Sequence, residues 1–407
     1  MKRFIALALS LIATGTVAAA DWPQWLGPRR DGTSTEKGLL DAFPPGGPKL
    51  VWQRDVGEGF SGPVTAGDRL IVFHRVGDEE IVECLNATTG KLLWKYGYPT
   101  SYRDALGKGD GPRSTPAIVG DKVVTLGAEG TLNCLTLGDG KKLWSRSLTQ
   151  DYKTPLGYFG IGTSPLVEQN LVLINVGGKN AGIVAFDLDS GAEKWKATND
   201  PPSYSSPVMA SVDDQRLAVF FTRTGAVVLN PKSGDVLFQK KWRARYDASV
   251  NAATPLIIGD QAFFSTSYET GALLLKLKAN GADEIWTDEN VMSNHYNTCV
   301  YLDGHLYGFD GRQEAGPSLR CVELKTKKVK WDVEKFGCGT MIAADGMLIV
   351  LTEKGNLHLV KATPAAFREL AQVRLLEAGP CRAQIALASG RLYARDQKKL
   401  VCVELKK

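Results

Sequence analysis

The sequence predicts an all-β fold: an eight-bladed β-propeller of four-stranded antiparallel blades, its ring closed by an N-terminal strand that completes the C-terminal blade. Three observations predict it. A pattern of about forty to fifty residues recurs along the chain, each copy running from a small residue and Pro, through an apolar strand and a Gly-Asp or Asp-Gly turn, to two further strands. Each copy then makes a Thr-Gly-Lys-like turn into an aromatic anchor: Trp94, Trp144, Trp195, Phe238, Trp286 and Trp331. The last copy stops at Lys407 without turn or anchor, and the missing piece, Leu50-Val51-Trp52-Gln53-Arg54-Asp55, stands near the other end.

Residues 1–20 read as a signal peptide. Lys2 and Arg3 are a positive n-region, 4–17 is mostly apolar, and Ala18-Ala19-Ala20 supplies the small residues of a cleavage site before Asp21. No cysteine follows to carry a lipid, and no later stretch approaches membrane-spanning length. The expectation is a periplasmic or secreted monomer without membrane span or lipid anchor.

Residues 21–48 lie outside the repeat. Trp22, Trp25 and Phe43 alternate with breakers such as Gly27-Pro28, Asp31-Gly32 and Pro44-Pro45-Gly46-Gly47-Pro48, which predicts an extended arm laying aromatic anchors on the body. The propeller occupies 49–407. Its units open at Ser61-Gly62-Pro63, Ser114-Thr115-Pro116, Thr163-Ser164-Pro165, Ser205-Ser206-Pro207, Ala253-Thr254-Pro255, Asn297-Thr298-Cys299, Gly339-Thr340-Met341 and Cys381. Four short alternating strands per unit with Gly-rich turns are the mark of a blade. The seventh unit ends in Ala365-Ala366-Phe367-Arg368, with its tryptophan lost near Phe367, and Trp52 is the anchor of the eighth. The anchors read as wedges between blades: each follows a turn at a fixed offset, once per blade, as inter-blade packing requires.

Charge narrows the partners. The formal net charge is +5, and loss of Lys2 and Arg3 leaves +3, with the basic residues dispersed, so nucleic acid and acidic membranes are poor candidates. Of the seven cysteines, Cys84, Cys134, Cys321 and Cys402 occupy one slot in four repeats and read as small buried hydrophobes; a bridge between Cys338 and Cys381 is geometrically conceivable.

In a meander of strands a to d, the d-to-a and b-to-c connections open on one face, and that face collects polar groups around the channel mouth. They include Arg113, Tyr204, Asn251, His295, Tyr296 and Arg382 before first strands, and His74, Arg223, Tyr268, Asp310, Arg312, Glu314 and Glu353 in b-to-c loops. Asn294-His295-Tyr296-Asn297 and Phe309-Asp310-Gly311-Arg312-Gln313-Glu314 belong to one unit and should sit side by side. A His beside two carboxylates and an Arg suits acid–base work or an anionic ligand. The same loop also reads as a solvated turn whose charges pair with one another. No catalytic residue and no metal site is nominated: the four histidines share no plausible site, and Asp310-Gly311 with Glu314 lacks calcium-loop spacing.

The segment Cys84-Leu-Asn-Ala-Thr-Thr-Gly-Lys-Leu-Leu-Trp94 resembles the quinoprotein-type, or PQQ-like, β-propeller repeat, and Asp187 to Trp195 is a second copy. The arm from Asp21 to Pro28 resembles the start of many exported bacterial members. The resemblance covers 50–407 and implies the fold, not the function. The superfamily holds quinone- and calcium-dependent alcohol and glucose dehydrogenases, and also BamB-type propellers of outer-membrane assembly, which turn nothing over. This chain lacks the dehydrogenases' adjacent Cys-Cys pair and long insertions, and it lacks the lipid-attachment cysteine of the assembly lipoprotein. The expectation is a binding or scaffolding module for a protein or small ligand, with no cofactor. The alternative is a PQQ- and calcium-dependent periplasmic dehydrogenase of alcohols or sugars.

Overall fold

The computed structural model describes residues 21–407 apart from 245, 247 and 248; the expected signal peptide lies outside the described residues. Thirty-two strands form eight four-stranded sheets. Seven are simple meanders, at 64–99, 117–147, 166–197, 208–241, 256–288, 300–333 and 339–374, here blades 1 to 7. Blade 8 joins three strands from 386–404 to Leu50–Asp55 at its outer edge. That strand runs antiparallel to Lys399–Glu404, with Trp52 opposite Cys402 and Asp55 opposite Lys399. One helix, Leu148–Tyr152, follows blade 2.

The blades read as near-continuous apolar runs because each sheet is covered on both faces by its neighbours. What spaces them is a repeated contact. The Nε1 of Trp94, Trp144, Trp195 and Trp331 donates to a carbonyl of the next blade, at Leu137, Leu188, Pro231 and Thr363, over 2.8–3.0 Å. The first three indoles lie flat on the glycine of that blade's last turn. A Cβ on Gly140, Gly191 or Gly234 would come within 2.4–2.6 Å of the Trp94, Trp144 or Trp195 ring. All three glycines have φ between +70° and +80°, where an L side chain is strained as well as obstructed.

The same contact crosses the junction of the two termini. Trp52 Nε1 donates to Ala87 O at 3.0 Å, and its ring covers Gly90. Tyr393 reaches Ala87 O as well, and buried Arg395 donates to Phe73 O and Gly57 O. Elsewhere the contact is modified. Lys327 takes the glycine position facing Trp286 and holds its ammonium 5.7 Å from the indole centroid. Phe367 packs edge-on against Trp331. The register also refines the reading of blade 7. The residue paired as Trp94 is with Cys84 is Ala371, opposite Leu359, which fixes the empty seventh slot, and Phe367 four residues earlier is the partner of blade 6's wedge. Phe43 of the arm packs into the same core cluster as Ala371.

A second ring lines the channel, built from the residue just before each unit's Pro or its equivalent. Gly62 N donates to Thr115 Oγ1, Thr115 N to Ser164 Oγ, and Ser164 N to Ser206 Oγ, at 2.9–3.1 Å. Thr254 N repeats the bond to Thr298 Oγ1, and Gln384 Nε2 reaches back to Met341 O. All seven cysteines are buried and unpaired, Cys338 and Cys381 among them.

The arm closes the channel at the a-to-b turn end. Asp21 accepts from Gly67 N, Trp22 bridges Thr65, and Leu39 N donates to Asp345. Trp22 and Leu26 are fully buried there. Trp52→Ala is expected to destabilise the protein by about 3 kcal/mol, as large-to-small core substitutions do. Gly140→Ala should lose about 2 kcal/mol through the indole clash and the positive φ. Equilibrium denaturant unfolding measures both; unchanged midpoints would contradict the wedge.

Candidate functional site

With one end sealed by the arm, the channel becomes a cup of about 200 Å³ opening where the first strands begin. Its wall follows one register rule. Three residues before each unit's Pro or equivalent stand Phe60, Arg113, Gly162, Tyr204, Ala252, Tyr296, Cys338 and Arg382. All of them line the cup except Cys338. The propeller brings these positions together by rotating one slot about one axis. Gly162 and Ala252 leave the open side, and aromatic or guanidinium groups fill the rest. Trp25 of the arm forms the floor, its Nε1 fixed on Thr254 Oγ1 at 2.9 Å.

The polar groups of the wall are mostly committed to structure. Arg113 pairs with the buried Asp104 carboxylate at 2.5 Å and donates to Gly109 O, while its guanidinium lies 5.5 Å from the Phe60 centroid and 5.7 Å from that of Phe159. Arg382 uses Nε on Glu353 at 2.6 Å and lies between Phe60 and Tyr296, 5.4 and 5.9 Å from their centroids. The Tyr296 hydroxyl donates to the same Glu353 oxygen at 2.5 Å, and burial raises its pKa well above the ordinary phenol value. Tyr204 accepts from Phe159 N at 3.0 Å. His295 is buried, with Nε2 2.9 Å from the Tyr268 hydroxyl; burial lowers its pKa, opposed by Glu314 and reinforced by Arg312 and Arg382.

Arg113, Tyr204, His295, Tyr296, Glu314 and Arg382 therefore meet in the cup. Arg312 stands beside it, stacked 4.6 Å from the Tyr268 centroid and paired with Glu314 at 3.4 Å. Asn251 and Asp310 turn into the framework instead. Asn251 donates to Thr222 O within blade 4, and Asp310 pairs with Arg320 and accepts from Ser293 N. Sequence reasoning missed Phe60, Gly162 and Ala252, which the slot rule would have found. It also missed Phe159, Lys108 and the floor position of Trp25, which lie in non-repeating segments without a register to follow.

The cup holds little acid–base machinery. Outside its lining, at the blade 7 slot, burial pushes the Cys338 thiol up to about 11, far from a nucleophilic thiolate at neutral pH. Among the described residues no three His, Cys, Asp or Glu side chains gather as a metal centre would need. Glu353 is bound by Arg382 and Tyr296, and Asp310 by Arg320.

A family model described as outer membrane protein assembly factor BamB matches residues 78–333. A comparison with curated proteins finds no match. Among solved structures, BamB from Moraxella catarrhalis superposes with a TM-score of 0.65 at 14% identity, covering 88% of this chain and 98% of that one. The quinohemoprotein alcohol dehydrogenase ADHIIG from Pseudomonas putida HK5 gives 0.66 at 13%, covering 95% and 80%. The computationally designed Ika8 protein gives 0.61 at 10%, covering 88% and 100%. At such identities the likeness is one of fold.

The lowered pKa of His295 has a testable sign. The unfolded chain takes up this proton near pH 6.5 and the folded chain only below that, so stability falls as pH drops from about 6.5 toward the folded value, then levels. His295→Gln should remove that part of the slope between pH 7 and 5 in denaturant midpoints, leaving the part due to His74, whose pKa burial also lowers. A slope unchanged by the substitution would show that His295 does not titrate in this way.

Proposed function

The chain belongs to the family described as outer membrane protein assembly factor BamB, and from that premise we propose that it is a binding or scaffolding propeller without turnover, working in an exported compartment. The observation that carries the reading is the commitment of the cup's acids and bases. Glu353 neutralises Arg382 and takes the Tyr296 proton donor; Asp104 holds Arg113; His295 is buried against Tyr268. A general acid or base must be free to exchange a proton with a substrate at hydrogen-bond distance. Fixed ion pairs under aromatic walls instead make a rigid recognition surface, because the side chains are already ordered before anything binds.

The exported location rests on the n-region, apolar stretch and small-residue cleavage pattern of 1–20. Consistent with it, no helix among the described residues is long and apolar enough to cross a membrane. The dehydrogenase alternative has the fold likeness to ADHIIG in its favour, but fold does not carry function between such distant chains, and the donor set of this cup disfavours it. Purified protein mixed with the quinone and calcium, then offered alcohols and sugars with a redox dye, is expected to reduce no dye beyond a protein-free control. Sustained turnover would overturn the proposal.

A further inference from the structure

We infer that the cup is a receptor for a small aromatic carboxylate, a single ring bearing one anionic group. This rests on the binding-module reading and goes further by naming the ligand's chemistry.

Of the lining hydroxyls, Tyr296 donates to Glu353, Tyr268 is bonded to His295, and Tyr204 and Ser206 accept from Phe159 N and Ser164 N, which leaves the O–H groups of these last two as donors for a ligand. Glu314 is paired with Arg312. Two cations remain. Arg382 spends only Nε on Glu353, and its two terminal amino groups have no protein partner among the described residues. Lys108 lines the cup and its ammonium is likewise unpartnered there. Terminal guanidinium amines set in a plane are the donors that meet a carboxylate bidentately.

The remaining surface is aromatic: Phe60, Phe159, Tyr204, Tyr268 and Tyr296 on the walls, Trp25 beneath. Rings whose hydroxyls are already bonded offer faces and edges, which favour a flat ring stacked or met edge-to-face. A volume of about 200 Å³ lies under the range of roughly 300–1,000 Å³ typical of larger ligands, and so suits one ring rather than a fused system. Unpaired positive donors at one side and aromatic walls elsewhere together specify an aromatic acid. A neutral ring would leave Arg382 without a partner, and a ringless acid would leave the walls wet.

Isothermal titration and ligand-observed NMR with benzoate, benzamide and acetate on the full mature protein test this. Benzoate should bind saturably, benzamide about tenfold more weakly or worse, and acetate not measurably. Arg382→Gln should lower benzoate affinity about tenfold and leave benzamide unchanged; Lys108→Gln, on an exposed loop, should give a smaller loss in the same direction. The benzoate–benzamide comparison on the unaltered protein decides the matter even if the Arg382 variant folds poorly. Absence of benzoate binding, or equal affinity for benzoate and benzamide, overturns this ligand class. Dye reduction with quinone and calcium, run on the same preparation, is a separate result that would overturn the non-catalytic reading instead.

Discussion

Everything in this molecule hangs on an indole lying against a bare backbone turn. Trp52, Trp94, Trp144 and Trp195 each cover a glycine of the following blade and donate Nε1 to a carbonyl beside it. The contact combines burial of a large ring with a directional bond, so it fixes both the distance and the rotation between blades. Repeating one fixed rotation closes a circle only if the number of blades is right. The eighth wedge comes from the far end of the chain, and Trp52 on Gly90 makes the ring continuous without a covalent link. An open first or last blade would otherwise expose unpaired strand edges.

Closure then dictates where a site can be. A slot three residues before each unit's Pro brings one residue from every blade but the seventh to the cup, and the hydroxyl ring two residues closer to the strand holds them there. This is why the fold and much of the site were legible in the sequence. The repeat carried the blades, the turns sorted the loops onto two faces, and the period placed Arg113, Tyr204, Tyr296 and Arg382 at one mouth. Periodicity could not say which polar residues there serve the framework. Asn251 and Asp310 look like their neighbours in sequence, yet they satisfy Thr222 O, Ser293 N and Arg320, because backbone groups in the connections around the mouth need partners. The loss of blade 7's tryptophan near Phe367 was legible too, but only strand register assigns the slot itself, and Ala371 holds it.

The arm was the least legible part. Its composition announces an extended segment with aromatic anchors, and Trp22 is buried as such an anchor should be. Which face it crosses depends on hydrogen bonds from residues with no repeat partner: Asp21 to Gly67, Leu39 to Asp345, and Arg30 to the Ser164 and Pro165 carbonyls. These fix it to the end opposite the mouth, and the consequence for function is large. A propeller channel open at both ends is a wet tunnel in which ion pairs are screened and aromatic faces are hydrated.

Sealing one end changes the electrostatics of the other. Arg113 and Arg382 sit against Phe60, each with a carboxylate partner, Asp104 fully buried and Glu353 partly so, where charge interactions are stronger than at an open surface. Holding two guanidiniums near one ring would repel if both were bare; Asp104 and Glu353 compensate each of them, and the ring faces add a cation–π contribution. The arrangement keeps positive donors facing a largely aromatic cavity at little net charge. Such a site discriminates by shape and by hydrogen-bond direction rather than by long-range attraction, in keeping with the chain's dispersed surface charge. Trp25 is the residue on which this depends most, since among the lining residues it alone comes from outside the ring, and it makes the floor of the cup.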